Sequence, residues 1–211
     1  MNIIKKISSK IYKTLHKIDV RHRFNIKNKD VTIFSNNCIG GFLYKNLNTQ
    51  YQSPTVNLQI PLHSFFKFVN NYEYYLNCSL REGDASLFQD DFTKVGGKTI
   101  TFPCAWLDDI KVLFQHGKSF DDEKQKWIKR SGRIKRNNIV VICWAPRKLL
   151  TDDILNEFSK IKYKKVMITD DDIDFKDVVT IKMAKGKNWF DRGFFRPYFE
   201  KYNWKKFFNR V

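Results

Sequence analysis

The residues of this chain that could do chemistry fall in three places. In SNNCIGG, residues 35–41, two amides and the thiol of Cys38 stand before a Gly-Gly pair. Amides ahead of a helix favour an anion or a developing oxyanion, and a thiol there can have a depressed pKa and react. Farther on, IKVLFQH ends an apolar run in His116. An imidazole in reach of a thiol acts as its base. One candidate set therefore has Cys38 as nucleophile, His116 as base, and Asn36 or Asn37 with backbone N–H groups as oxyanion stabiliser, while Gly40 and Gly41 let a ligand approach. The competing reading is a tight turn, with Asn37 left-handed, Cys38 packed as a small apolar residue and His116 hydrogen-bonded at a strand end. Residue chemistry alone favours the turn.

The second place is KVMITDDDIDF, where Asp170 and Asp172 follow an apolar run. A D-x-D pair after a strand can hold a divalent metal against a diphosphate, as in many glycosyltransferases. The motif is short, and an acidic loop carrying an N-cap explains it better. The third is DDEKQKWIKRSGRIKR, which brings Trp127, Arg130 and Arg133 close on one side of a helix. Guanidinium groups so spaced can grip phosphate or diphosphate, although such runs are often just solvated faces.

Alternating elements must position these groups. VTIFS, TVNLQI, KTITF, IKVLFQH, NIVVICW, KKVMIT and DVVTIKM read as strands. Helices are expected after Gly41, at HSFFKFVNNYEYYL, across DDEKQKWIKRSGRIKR, at TDDILNEFSK and at RPYFEKYNWKKFFN, with Asp121 and Thr151 as N-caps. This order predicts a layered α/β fold, with a mainly parallel or mixed sheet flanked by helices. Ligands settle at the carboxyl ends of parallel strands, so Cys38 and His116 would share a rim if their strands are parallel. Ahead of that single domain, residues 24–211, lies a segment of another kind. Ile4, Ile7, Ile11, Leu15 and Ile18 alternate with lysines across residues 1–23, the pattern of an amphipathic basic helix suited to an anionic membrane surface or to the protein's own core.

With 211 residues, 42% of them apolar, the chain can build a core without staples. A net charge of +17, from 39 basic against 22 acidic residues, attracts polyanions, although a bias toward Lys, Asn, Ile, Phe and Tyr inflates it. No nucleic-acid-binding motif accompanies the charge, so no nucleic-acid partner is expected. Cys38, Cys78, Cys104 and Cys143 are scattered with no C-x-x-C pair, which argues against a zinc knuckle and for reduced thiols. Lysines interrupt the N-terminal apolar residues, so no secretory signal is read and a cytoplasmic location is expected.

The blocks IFSNNCIGGFLYKNLNTQYQSPTVNLQI, FKFVNNYEYYL, WLDDIKVLFQH, KWIKRSGRIKRNNIVV and YFEKYNWKKFF resemble, in order, the family named domain of unknown function nineteen-nineteen. The resemblance covers about Val31 to Phe208 and implies a place in bacterial exopolysaccharide or capsule biosynthesis. It singles out Cys38, Tyr44, Pro54, His116, Trp127, Arg130 and Arg133 in the matching blocks. The bend is also similar to the Gly-Asn-Cys turn of capsule acyltransferases that bind coenzyme A, although Asn36 replaces the glycine and Ile39 a polar residue. Together these imply a membrane-associated transferase moving an acyl group, from a coenzyme A thioester, onto a polysaccharide precursor that can be lipid-linked. The alternatives are a metal-dependent glycosyl- or phosphate-type transferase using Asp170 and Asp172, and a noncatalytic binding protein.

Overall fold

The computed structural model describes residue 26, residues 29–182 and residues 202–209, so the expected N-terminal helix and the start of the expected C-terminal one lie outside the described residues. A four-stranded parallel sheet is built from β1 (Thr32–Ser35), β5 (Ile139–Trp144), β6 (Lys164–Thr169) and β7 (Val178–Thr180), in the order β1-β5-β6-β7. A separate antiparallel sheet holds β2 (Leu80–Gly83), β3 (Cys104–Leu107) and β4 (Ile110–Leu113). The mixed α/β character expected from the sequence is present, as two sheets.

The helices are α1 (Ile39–Leu47), α2 (Leu62–Asn70), α3 (Tyr72–Asn77), α4 (Gln89–Lys94), α5 (Phe120–Ser131), α6 (Asp152–Ser159) and α7 (Trp204–Asn209). Their ends follow local chemistry. Thr151 accepts from the Ile154 N–H as expected, whereas α5 is capped by Ser119, which accepts from the Asp122 N–H and leaves Asp121 in the first turn.

Strand β5 is buried at every position, and its period of two sorts its side chains between two cores. Ile139, Val141 and Cys143 join Phe34 and Met167 on one face, under α2, α3, α5 and α6. Val140, Ile142 and Trp144 join Ile33, Val166 and Ile168 on the other, under α1 and α7. A smaller core of Phe88, Phe92, Ile100, Cys104 and Leu113 lies against the antiparallel sheet.

Two expected strands are not strands. TVNLQI runs as turn and extended chain with one bridge, Gln59 to Leu113, and KTITF is irregular with Ile100 packed inward. That bridge has a structural role. Gln59 and Leu113 exchange backbone hydrogen bonds at 2.8 and 2.9 Å, while the Ile60 N–H donates to the Asn36 carbonyl at 2.9 Å. The segment from Ser53 to Ile60 thus ties the end of β1 to the end of β4.

Candidate active site

Cys38 and His116 meet. The Cys38 Sγ lies 3.0 Å from His116 Nε2, with Gln115 Oε1 as a second acceptor at 3.8 Å. The route to this contact is not the expected one, because β4 belongs to the antiparallel sheet and is not a parallel neighbour of β1. The bridging segment brings the two strand ends together instead.

Local chemistry fixes the thiol's turn. Ser35 Oγ donates to the Asn37 carbonyl at 2.9 Å and accepts from the Gly40 N–H, and Asn37 Oδ1 accepts from the Ile39 N–H at 3.0 Å. These bonds satisfy two of the orphan donors at the start of α1. Asn37 is not left-handed, nor do Gly40 and Gly41 have positive φ. The glycines are required by close approach: a Cβ on Gly40 would sit 2.4 Å from Ser35 Oγ, and one on Gly41 would sit 2.0 Å from Asn57 Oδ1. Asn57 reaches that position from a left-handed backbone, φ 62.

Asn36 is committed to the scaffold. Its side chain donates to the Trp144 carbonyl at 2.8 Å and accepts from the Trp144 N–H at 2.9 Å, clamping the end of β5. With the Ile39 and Gly40 N–H groups also engaged, the amide that stands against the thiol is Gln115, whose Oε1 faces the sulfur. Tyr44 is likewise structural. Buried in the core, its hydroxyl donates to the Val31 carbonyl and accepts from the Ile33 N–H, pinning α1 to β1.

Electrostatics set the protonation states. Burial pushes the Cys38 thiol up to about 12, opposite to the depressed pKa expected at a helix start. The His116 imidazole is shifted the other way: burial lowers its pKa most, Glu123 works against that, and Lys45 adds to the lowering. Near pH 7 the pair is therefore a neutral thiol facing a neutral imidazole, which favours removal of the thiol proton as the sulfur attacks. Glu123 is 6% exposed, paired with Lys126 at 2.6 Å, and lies against Gly117 beside the imidazole. Sequence reasoning missed Gln115, Glu123 and Asn57. A glutamine directly before His116 and a glutamate in the next helix's first turn were the available signals, and neither is specific.

The other candidates lie apart from the thiol. Trp127 is a core residue, edge-on to Phe68 at 5.8 Å. Arg130 donates to the Val56 carbonyl at 3.1 Å and lies over the Tyr51 ring, and Arg133 donates to the Tyr51 carbonyl at 3.2 Å. Both stand near the far end of α5 from His116. At the end of β6, Asp170 Oδ1 accepts from the Arg147 N–H at 2.7 Å and Asp172 pairs with Lys182 at 2.5 Å. Among the described residues no group of three or more His, Cys, Asp or Glu side chains is arranged to hold a metal, and no helix is long and apolar enough to cross a membrane.

Similarity to other proteins agrees with the extent of the sequence blocks. The chain is 26% identical, over an alignment of 227 residues covering all of both chains, to a protein of Haemophilus influenzae described as uncharacterized. Residues 8–211 match a family model, and the chain belongs to that family: Domain of unknown function (DUF1919).

Proposed function

We propose that the protein is a transferase that moves an acyl group from a thioester, coenzyme A being the first donor to try, onto a sugar hydroxyl of a bacterial surface-polysaccharide precursor. The observation that carries the chemistry is the 3.0 Å contact between Cys38 Sγ and His116 Nε2. The acceptor class draws on the family resemblance. Residues 1–23 would hold the enzyme at an anionic membrane surface, where lipid-linked precursors sit.

The steps balance without a further reactant. As Cys38 Sγ bonds to the donor's carbonyl carbon, its proton passes to His116 Nε2, and the carbonyl oxygen takes up negative charge, which the Gln115 side chain would stabilise by turning its Nε2 donors, in place of Oε1, toward it. The carbon–sulfur bond to the donor then breaks, and the departing thiolate takes the imidazolium proton. The acceptor hydroxyl next attacks the Cys38 thioester, giving its proton to Nε2. Cleavage of that thioester releases the ester product, and the proton returns to Sγ.

A transfer using a metal on Asp170 and Asp172 draws less support, because one carboxylate caps the Arg147 turn and the other is paired with Lys182. The reading is tested by comparing polysaccharide, by mass and NMR, from a deletion strain complemented with the wild-type or the Cys38→Ser gene. Loss of one ester in the Cys38→Ser strain is expected. An unchanged ester pattern, or loss of one sugar instead, overturns the acyl-transfer assignment.

A further inference from the structure

Arg130 and Arg133 do not reach the thiol, but Arg133, just past the end of α5, borders a cleft. A cavity of about 470 Å³ lies beyond the C-terminal end of α1, lined by Tyr44, Lys45, Asn48, Thr49, Tyr51 and Arg133 among others. Lys45 is exposed and Arg133 half-buried, and among the described residues neither pairs with a carboxylate. One Arg133 Nη is held by the Tyr51 carbonyl, which fixes the guanidinium and leaves its other N–H groups for a ligand. Arg130 flanks the same tyrosine, lying 5.3 Å from its ring centre. The acidic groups nearby are occupied: Glu123 by Lys126, and Asp30 by Lys135 and Gln52. The turn also carries unused polar capacity, since Thr49 Oγ1 and Asn46 Nδ2 are shut from solvent without a hydrogen-bond partner.

We propose that this cleft is a phosphate subsite, which seats the phosphate or diphosphate end of an extended ligand whose reactive end lies at Cys38. The second clause rests on the acyl-transfer reading and the first does not. Cys38 caps the start of α1 and Lys45 lies seven residues along it at the cleft, so anion and thiol are separated by about 10 Å. The ligand is thus a long phosphate ester and not a compact sugar phosphate. Fixed guanidinium donors bind phosphate oxygens through charge-assisted hydrogen bonds, and the overall +17 charge raises the local concentration of such anions.

The probe is pyrophosphate, titrated calorimetrically into the full chain at near-physiological salt. Affinity is expected to fall at least tenfold in Lys45→Gln/Arg133→Gln and to stay within twofold in Lys148→Gln/Lys160→Gln, which removes the same charge from exposed positions outside the cleft's lining. Equal losses in both double variants, or no binding by the wild type, overturn the subsite. If Arg133→Gln unfolds the chain, Lys45→Glu alone gives the same readout from an exposed position. Phosphatidylglycerol vesicles form the second arm. If their binding, but not that of pyrophosphate, depends on Lys45 and Arg133, the anion is a lipid headgroup and the extended soluble ligand is overturned. Cys38→Ser keeps pyrophosphate affinity whether or not the thiol is catalytic, so failure of the transfer reading and failure of the subsite are read separately.

Discussion

Two loops leave the carboxyl edge of the same parallel sheet, one after β1 and one after β6, and the fold treats their functional groups in opposite ways. After β6, Asp170 caps a turn and Asp172 is neutralised by Lys182. After β1, Ser35, Asn36 and Asn37 take up the structural hydrogen bonding, and Cys38 is left facing an imidazole in the turn that follows a strand of the other sheet. The acidic loop is consumed by local structure. The thiol loop is held in place by its neighbours, so that one reactive group remains uncommitted. Residues supporting a site and the residue doing its chemistry are thus adjacent in sequence and easily confused from type alone.

The largest expected difference between the two loops is in activity. Replacing His116 with Ala should slow acylation of Cys38 by a thioester by roughly 10²- to 10⁴-fold, the usual contribution of a positioned general base. Stopped-flow release of the donor thiol measures it, and a change under threefold would put the thiol loop on the same footing as the acidic one. The pH profile sharpens this. With the imidazole pKa below its ordinary value, acylation should hold level through pH 7 and drop only below about pH 6.5 as the base protonates. Alkylation by iodoacetamide, which needs the thiolate, should be slow at neutral pH and climb toward pH 12. A thiolate already formed at pH 7 would show fast alkylation and contradict the neutral pair.

Stability separates the supporting residues next. Asn36→Ala strands the buried N–H and carbonyl of Trp144 and should cost about 2–4 kcal/mol in denaturant unfolding. Gly40→Ala forces a methyl against Ser35 Oγ and should cost about 1–3 kcal/mol. The smallest effect is expected at the other loop: Asp172→Asn removes only an exposed pair and should leave both the unfolding midpoint and the acylation rate in place. A large loss of acylation in that variant, or in chelator, would reverse the ranking of the two loops.

Much of this organisation can be read from the chain. The continuous apolar run of β5 and those of β1 and β6 give the parallel sheet, because strands buried on both faces need continuous apolar sequence. β2 and β3 escape notice because LREG and CAWL are short, and LREG buries only Leu80 fully. TVNLQI misleads in the other direction. Val56, Leu58 and Ile60 are all buried as in a strand, yet the segment pairs only through Gln59. The thiol and imidazole are each visible as candidates, but their meeting across 78 residues depends on that one bridge and on the Ile60–Asn36 bond, which local pattern does not encode. The roles of Asn36 and Tyr44 were equally hidden, since a polar side chain that completes a buried backbone looks the same in sequence as one that binds a ligand.

The central claim is that Cys38 is the acyl-accepting nucleophile. Incubating the full chain with an isotopically labelled acetyl thioester, without acceptor, and measuring intact mass tests it most directly. The expected result is one acetyl group per chain, mapped to Cys38, removed by neutral hydroxylamine and absent in Cys38→Ser. Label on Cys78 or on lysines alone, or equal labelling of Cys38→Ser, would contradict it.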